Sequence, residues 1–187
     1  MAFILMILGQ WYVPGKMIRD RERILSQGTV HRFRTAPVDP VDIFRGKYID
    51  LNFEGNMVPV EDAHEWEQGE EVYGLLSEDT AGFTVIHSLQ KVAPKSQEEY
   101  LKLTVNYVPD YGRNEIQVNF PFERLYMEES KAYQAELSYL KSHQDDSTST
   151  AYALVSILEG EAVIRDVMID DVPIREVAQK ALENTDP

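Results

Sequence analysis

Residues Glu61-Asp62-Ala63-His64-Glu65-Trp66-Glu67 place four carboxylates and one imidazole within seven positions. Those groups could ligate a divalent cation. No ligand-spacing motif accompanies them, and the stretch has no helical or alternating period, so it reads as a solvated acidic surface and not as a metal site. His87 lies among Phe83, Val85 and Leu89 in a strand-like run. A general base there would need a partner from elsewhere in the fold, which favours a satisfied buried or edge histidine. Ser77, Ser88 and Ser96 lie near Lys91 and Lys95, the residue types of a serine–lysine hydrolase. None sits in a nucleophile motif, and nearness in sequence does not position a base. No catalytic residue, metal ligand or cofactor is therefore assigned.

A different constellation follows a proline-bounded acidic turn, Pro37-Val38-Asp39-Pro40-Val41-Asp42, which leads through Arg45 and Gly46 into Lys47 to Phe53. Strand alternation puts Ile49, Leu51 and Phe53 on a core face and Tyr48, Asp50 and Asn52 on the other. Tyr48 is thereby turned outward beside the loop. Asp39, Asp42, Arg45 and Tyr48 form a candidate recognition rim, with the ring offering contact area and Arg45 offering charge-assisted hydrogen bonds. The competing reading is that Tyr48 packs on the prolines and Arg45 pairs with Asp42, fixing the shape of the loop.

The elements that must position these groups are mostly strands. Thr29 to Thr35, Lys47 to Phe53, Met57 to Val60, Glu71 to Ser77, Phe83 to Val92, Tyr100 to Val108 and Glu115 to Phe122 alternate or lie between turn signals. Past Pro121 the apolar positions change parity at Leu125 and Met127, as a bulge would cause. Ala151 to Leu158 and Glu161 to Ile169 flank Glu159-Gly160, a two-residue hairpin signal, and the first of the pair is apolar on both faces, as a central strand is. Helical spacing predicts a helix near 128–143, with Tyr133, Leu137 and Leu140 on one stripe, and a short C-terminal helix within Val172 to Leu182. The expected fold is mainly β, an antiparallel sandwich or barrel with an N-terminal hydrophobic helix, one helix near 128–143 and a short closing helix. Two regions are expected: residues 1–27 as a hydrophobic anchor helix with a basic flank, and 28–187 as one β-rich domain.

The chain of 187 residues has a net charge of −14 and no cysteine. The charge argues against nucleic acid as partner. Lack of cysteine excludes disulfides, Cys-ligated zinc, iron–sulfur clusters and thiol catalysis. The charge is unevenly spread: residues through Lys47 carry +4 and the remainder −18. The basic part follows the most apolar stretch, and Ala2 to Gly15 bears no charged side chain. As a helix this stretch spans about 21 Å, or about 26 Å to Ile18 with Lys16 snorkelling, against about 30 Å of hydrocarbon. It lacks the basic start and small-residue cleavage site of a signal peptide. An anchor is the reading preferred to a core helix, with Trp11 and Tyr12 at the interface and Lys16, Arg19, Arg21 and Arg23 at the headgroups. Asp20 and Glu22 interleave with these arginines, so a salt-bridged helix surface ending at Gly28 would also fit.

The run Phe33-Arg34-Thr35-Ala36-Pro37-Val38-Asp39-Pro40 through Phe44-Arg45-Gly46-Lys47-Tyr48-Ile49-Asp50-Leu51-Asn52-Phe53 resembles the signature of the bacterial GDYXXLXY protein family. Gly46, Tyr48 and Leu51 match the naming motif, Lys47 replaces its Asp and Phe53 its last Tyr. Arg124, Tyr126 and Glu129 lie in a stretch similar to a later family segment. The resemblance implies a membrane-associated, β-rich protein with no established catalytic residues and, as a candidate partner, a multi-pass membrane protein. Together these readings describe a non-enzymatic, membrane-anchored binding or assembly module, with a membrane-tethered serine–lysine hydrolase as the alternative.

Overall fold

A computed structural model describes residues 2–36, 48–95, 98–109, 114–142 and 150–183, with the side chains of the first helix described from Gln10 onward. That helix, α1 (Ala2–Gln27), ends where expected: the Gly28 N–H donates to the Ile24 carbonyl at 2.9 Å and the chain turns directly into a strand. The strands are β1 (Thr29–Ala36), β2 (Tyr48–Asp50), β3 (Asn52–Phe53), β4 (Met57–Pro59), β5 (Glu71–Glu78), β6 (Thr84–Gln90), β7 (Tyr100–Tyr107), β8 (Glu115–Asn119) and β9 (Arg124–Tyr126). After α2 (Glu129–Ser142) come β10 (Ala151–Leu158), β11 (Glu161–Ile169), β12 (Val172–Pro173) and α3 (Ile174–Glu183).

All the named strands pair antiparallel. One sheet runs β12-β11-β10-β1-β3, a second runs β4-β8-β7-β5-β6, and β2-β9 forms a separate ribbon. The barrel alternative is corrected by this order: among the described residues each five-stranded sheet ends in edge strands, β12 and β3 in one and β4 and β6 in the other. Both sheets feed one apolar cluster. At its centre Phe33 of β1 meets Phe120 and Phe122, the residues after β8, at ring-centroid distances of 5.7 and 5.4 Å, and Phe53 of β3 joins the same group. The Glu159-Gly160 turn closes β10–β11 with φ of 53° and 82°, the left-handed pair that a two-residue hairpin requires. Its tip also links the sheets, because the Lys102 N–H of β7 donates to the Gly160 carbonyl at 3.0 Å.

Three local expectations change. The strand Lys47 to Phe53 is divided: β2 joins the ribbon, a pairing that the Leu51 N–H extends by donating to the Glu123 carbonyl at 2.7 Å, and β3 then joins β1. The parity change near Leu125 is likewise a change of partner, with Arg124–Tyr126 leaving the second sheet to pair with β2. In α2 the buried positions are Ala132, Ala135, Tyr139 and Ser142, while Leu137 is half-buried; the side chains of Tyr133 and Leu140 lie outside those described. Small residues let α2 approach closely, and Tyr139 fills the gap, its hydroxyl donating to the Ala36 carbonyl at 3.1 Å. Burial pushes that phenol up to about 12.

The last turns of α1 dock on β10 and β11. Arg165 donates through Nη2 to the Leu25 carbonyl and through Nε to Ser156 Oγ at 2.5 Å, and Arg23 pairs with Glu159 at 3.1 Å. A guanidinium at the helix C-terminus complements the unpaired carbonyls there. Toward its N-terminus the helix stands clear, and every residue from Gln10 to Arg23 is exposed. No helix among the described residues is long and apolar enough to cross a membrane. Gln10, Pro14 and Gly15 dilute the apolar run, and charges begin at Lys16.

Candidate functional site

The two segments that resemble the family signature meet in the β2–β9 ribbon. Its register pairs Tyr48 with Tyr126, Ile49 with Leu125, and Asp50 with Arg124. Ile49 and Leu125 point inward and are almost fully buried, so the alternation turns Tyr48, Asp50, Arg124 and Tyr126 to the outer face. There Arg124 Nε donates to Asp50 Oδ1 at 3.0 Å, and the guanidinium lies 4.8 Å from the centroid of the Tyr48 ring. The Tyr48 and Tyr126 rings are 5.6 Å apart at an interplanar angle of 58°. The hydrogen bond that Arg124 donates to Asp50, followed by the fields of Tyr48 and Asp50, holds Arg124 above its ordinary value. Of the expected rim, Tyr48 is placed here, outward as the alternation requires. Asp39, Asp42 and Arg45 lie outside the described residues. Sequence reasoning singled out Arg124 and Tyr126 only as a similar stretch; their cross-strand partnership with Tyr48 needed the fold.

Beside the ribbon runs an open groove of about 530 Å³, lined by Arg21 of α1, Phe120 to Tyr126, Ala162 to Ile164 of β11 and Arg175 of α3. A second hollow of about 490 Å³ continues it along α1 to Lys16 and Met17, sharing Arg21, Ala162 and Val163. Three arginines and one carboxylate, Glu123, line the first groove, and Lys16, Arg21 and Arg23 line the second together with Asp20, Glu159 and Glu161. Such concave surface with a few convergent charged groups is suited to binding.

The chemistry weighed first from sequence resolves differently. Asp62 Oδ1 caps a short 3-10 turn by accepting from the His64 N–H at 2.9 Å, and Lys91 reaches the Glu65 carbonyl at 2.6 Å and Glu70 at 2.8 Å. The acidic run is thus an exposed, tied-down turn, and among the described residues no three metal-ligating side chains converge. His87 is exposed, not on an inward face; a register irregularity at Leu75/Leu76 leaves Thr84 and Ile86 facing the core. Among the described residues neither Ser77 nor Ser88 hydrogen-bonds a lysine or histidine, and Ser96 lies outside them.

One imidazole escaped the sequence reading. His31 shares the inward face of β1 with Phe33 and Thr35, and is 7% exposed. Its Nδ1 lies 3.2 Å from Thr84 Oγ1 and its Nε2 lies 3.2 Å from Glu99 Oε2, the latter too poorly aligned to count as a hydrogen bond. Burial holds the imidazole below its ordinary value, against the opposing fields of Glu99 and Glu78. The order hydroxyl, imidazole, carboxylate is that of a nucleophile triad, yet Thr84 is buried and the adjoining crevice holds only about 60 Å³. That is room for about two waters and not for a substrate. The signal available in sequence was the same alternation that placed Phe33.

Two open antiparallel sheets with a shared core, an outward tyrosine–arginine ribbon and a protruding helix define a mainly β protein with a surface groove. The chain belongs to the GDYXXLXY protein family, which it matches over residues 10–167. No curated protein and no solved structure matches it.

Proposed function

We propose that the protein is a membrane-associated, non-enzymatic binding or assembly module whose partner is another membrane or envelope protein. The observation that carries this reading is the exposed apolar segment of α1 from Trp11 to Ile18. Trp11, Tyr12, Val13, Met17 and Ile18 are between 57% and 77% exposed. Large apolar side chains gathered on one exposed helical segment call for a lipid or protein cover. Trp11 and Tyr12 suit the interface between hydrocarbon and headgroups, and Lys16, Arg19, Arg21 and Arg23 suit the anionic surface beyond it. The outward Tyr48–Arg124–Tyr126 ribbon offers the residue types most often found at the centre of protein interfaces. A multi-pass membrane protein is the candidate partner.

Fractionation of cells expressing the full chain tests the first half of the proposal. The expected result is recovery with membranes and release only by detergent; recovery in the soluble fraction without detergent overturns it. Crosslinking in intact membranes then tests the second half, the expected product being a defined conjugate with one membrane protein.

A further inference from the structure

The groove beside the ribbon is bordered by a strand edge that lacks a neighbour among the described residues. On one side β11 pairs with β10 from Glu161 to Ile169, while on its other side β12 covers only Met168 and Ile169. The two-residue turn Glu159-Gly160 makes Leu158 and Glu161 a hydrogen-bonded pair. Alternation then directs the N–H and C=O of Glu161 and Val163 to β10, and those of Ala162 and Ile164 to the open edge. Among the described residues no backbone group pairs with them there, and both residues line the groove. The open stretch ends past the irregularity at Leu154/Val155, where Asp166 Oδ1 takes the Val167 N–H at 2.9 Å. Ala162-Val163-Ile164 carries neither a charge nor a proline, two devices that keep an edge from pairing.

The surroundings of this edge reverse the charge of the body. Downstream of Lys47 the chain carries −18, whereas Arg21 of α1, Arg124 of β9 and Arg175 of α3 line the groove with one carboxylate, Glu123. Asp50 already engages Arg124. Among the described residues Arg21 and Arg175 make no ion pair or hydrogen bond, and Arg175 has the more distant field of Asp166. We infer that the edge of β11 accepts an extended acidic segment of a partner protein, which adds to the first sheet as a further strand and sets carboxylates against Arg21 and Arg175. An unpaired backbone edge is matched by another backbone, and the arginines select the sign of its side chains. From Glu161 to Ile164 the edge spans about 10 Å at about 3.4 Å per residue, which suits three or four partner residues. Only the source of that segment, a membrane or envelope protein, rests on the binding-module reading above.

The test uses the full chain and a capped peptide of alternating glutamate and valine. In the free protein, amide exchange followed by NMR should be fast at Ala162 and Ile164 and slow at Glu161 and Val163. Protection of Ala162 and Ile164 without ligand overturns the inference, since the edge is then already covered. Saturating peptide should slow exchange at those two amides about tenfold. A lysine-for-glutamate peptide should bind about tenfold more weakly, and Arg21→Gln and Arg175→Gln should each weaken the acidic peptide about threefold. A fully N-methylated form should not bind. Absence of saturable protection, or equal binding by the methylated peptide, overturns strand addition; equal binding by the lysine peptide overturns the acidic assignment. Ala162→Pro removes an edge-facing N–H without touching the β10 ladder, so it should lose the peptide while keeping nearly the wild-type melting midpoint. Should that variant fail to fold, the methylated peptide decides on the wild type. Dimerisation that protects the same amides assigns the edge to a second copy of the chain instead. Photocrosslinking from a reactive residue in place of Val163 in intact membranes then tests the source. Capture of no membrane or envelope protein overturns the binding-module reading, and the peptide series still decides the edge by itself.

Discussion

Arg124 sits over Tyr48, 4.8 Å from the ring centroid, while its Nε donates to Asp50 at 3.0 Å. One guanidinium thereby joins the outward residues of β2 to β9, and Tyr126 completes the face at 5.6 Å from Tyr48. The anchoring of the ribbon lies on its other side, where Ile49 and Leu125 are buried beneath it. The outer face can therefore be altered with little effect on the fold.

Arg124→Ala and Tyr48→Ala should each lower the thermal midpoint by only a few degrees, since exposed ion pairs and ring contacts contribute little to stability. Both should weaken co-purification with the proposed membrane partner. Melting curves and pull-downs on the same preparations check this. A fall of more than about 10 °C would show that the ribbon's outer face clamps the fold, because for a chain of this size that corresponds to several kcal/mol.

Ile49→Ala reverses the pattern. It removes a side chain that is 1% exposed from beneath the ribbon, and the expected loss is about 2–5 kcal/mol. Urea denaturation measures it. The contrast between Ile49→Ala and Tyr48→Ala, neighbours on opposite faces, separates packing from recognition.

His31 makes stability depend on pH in a defined direction. Its folded-state value is depressed by burial, so in the unfolded chain it takes up a proton more readily, near pH 6.5. Stability from this group is complete above that pH. It falls as pH drops through 6.5 toward the depressed folded value, because protons then favour the unfolded chain. The groups facing it are Thr84 of β6, Glu78 of β5 and Glu99, the carboxylates acting against the shift. Urea midpoints for the wild type and His31→Gln should diverge between pH 7.5 and 5, the wild type losing more. An opposite divergence would mean that Glu99 outweighs burial.

Much of this architecture is legible in the chain because it is local. The inward set Ile49, Leu51 and Phe53 holds even though its strand is divided between two sheets, since alternation does not depend on which neighbour accepts the hydrogen bonds. Glu159-Gly160 fixes its hairpin through two positive φ angles. What is hidden depends on partners remote in sequence. Tyr107 is exposed although it alternates with Leu101, Leu103 and Val105, because the register with β8 shifts between Val105 and Tyr107. Pairing of Tyr48 with Tyr126 joins two three-residue strands remote in sequence, which no period encodes. The groove likewise needs α1, β11 and α3 brought together, and so Arg21 and Arg175 look in the sequence like ordinary surface charges.

Gly28 sets how α1 leaves the body. A Cβ there would lie 2.5 Å from the Ile24 carbonyl oxygen and 2.8 Å from the Ile157 carbonyl oxygen, both backbone atoms that no rotamer change can clear. Gly28→Ala must therefore lift the end of the helix from β10, at a cost of about 1–3 kcal/mol. Arg165 braces the same junction through the Leu25 carbonyl and Ser156, and Arg165→Ala would leave both acceptors short of a donor. Both variants should increase protease cleavage near residues 24–30 while the far sheet, followed by hydrogen exchange of Leu103 and Val118, stays protected. Loss of protection throughout would instead show that the helix junction is part of the global folding unit. Because Arg21 lies two turns before Gly28 on α1, the same lift should widen the groove and separate Arg21 from Arg175.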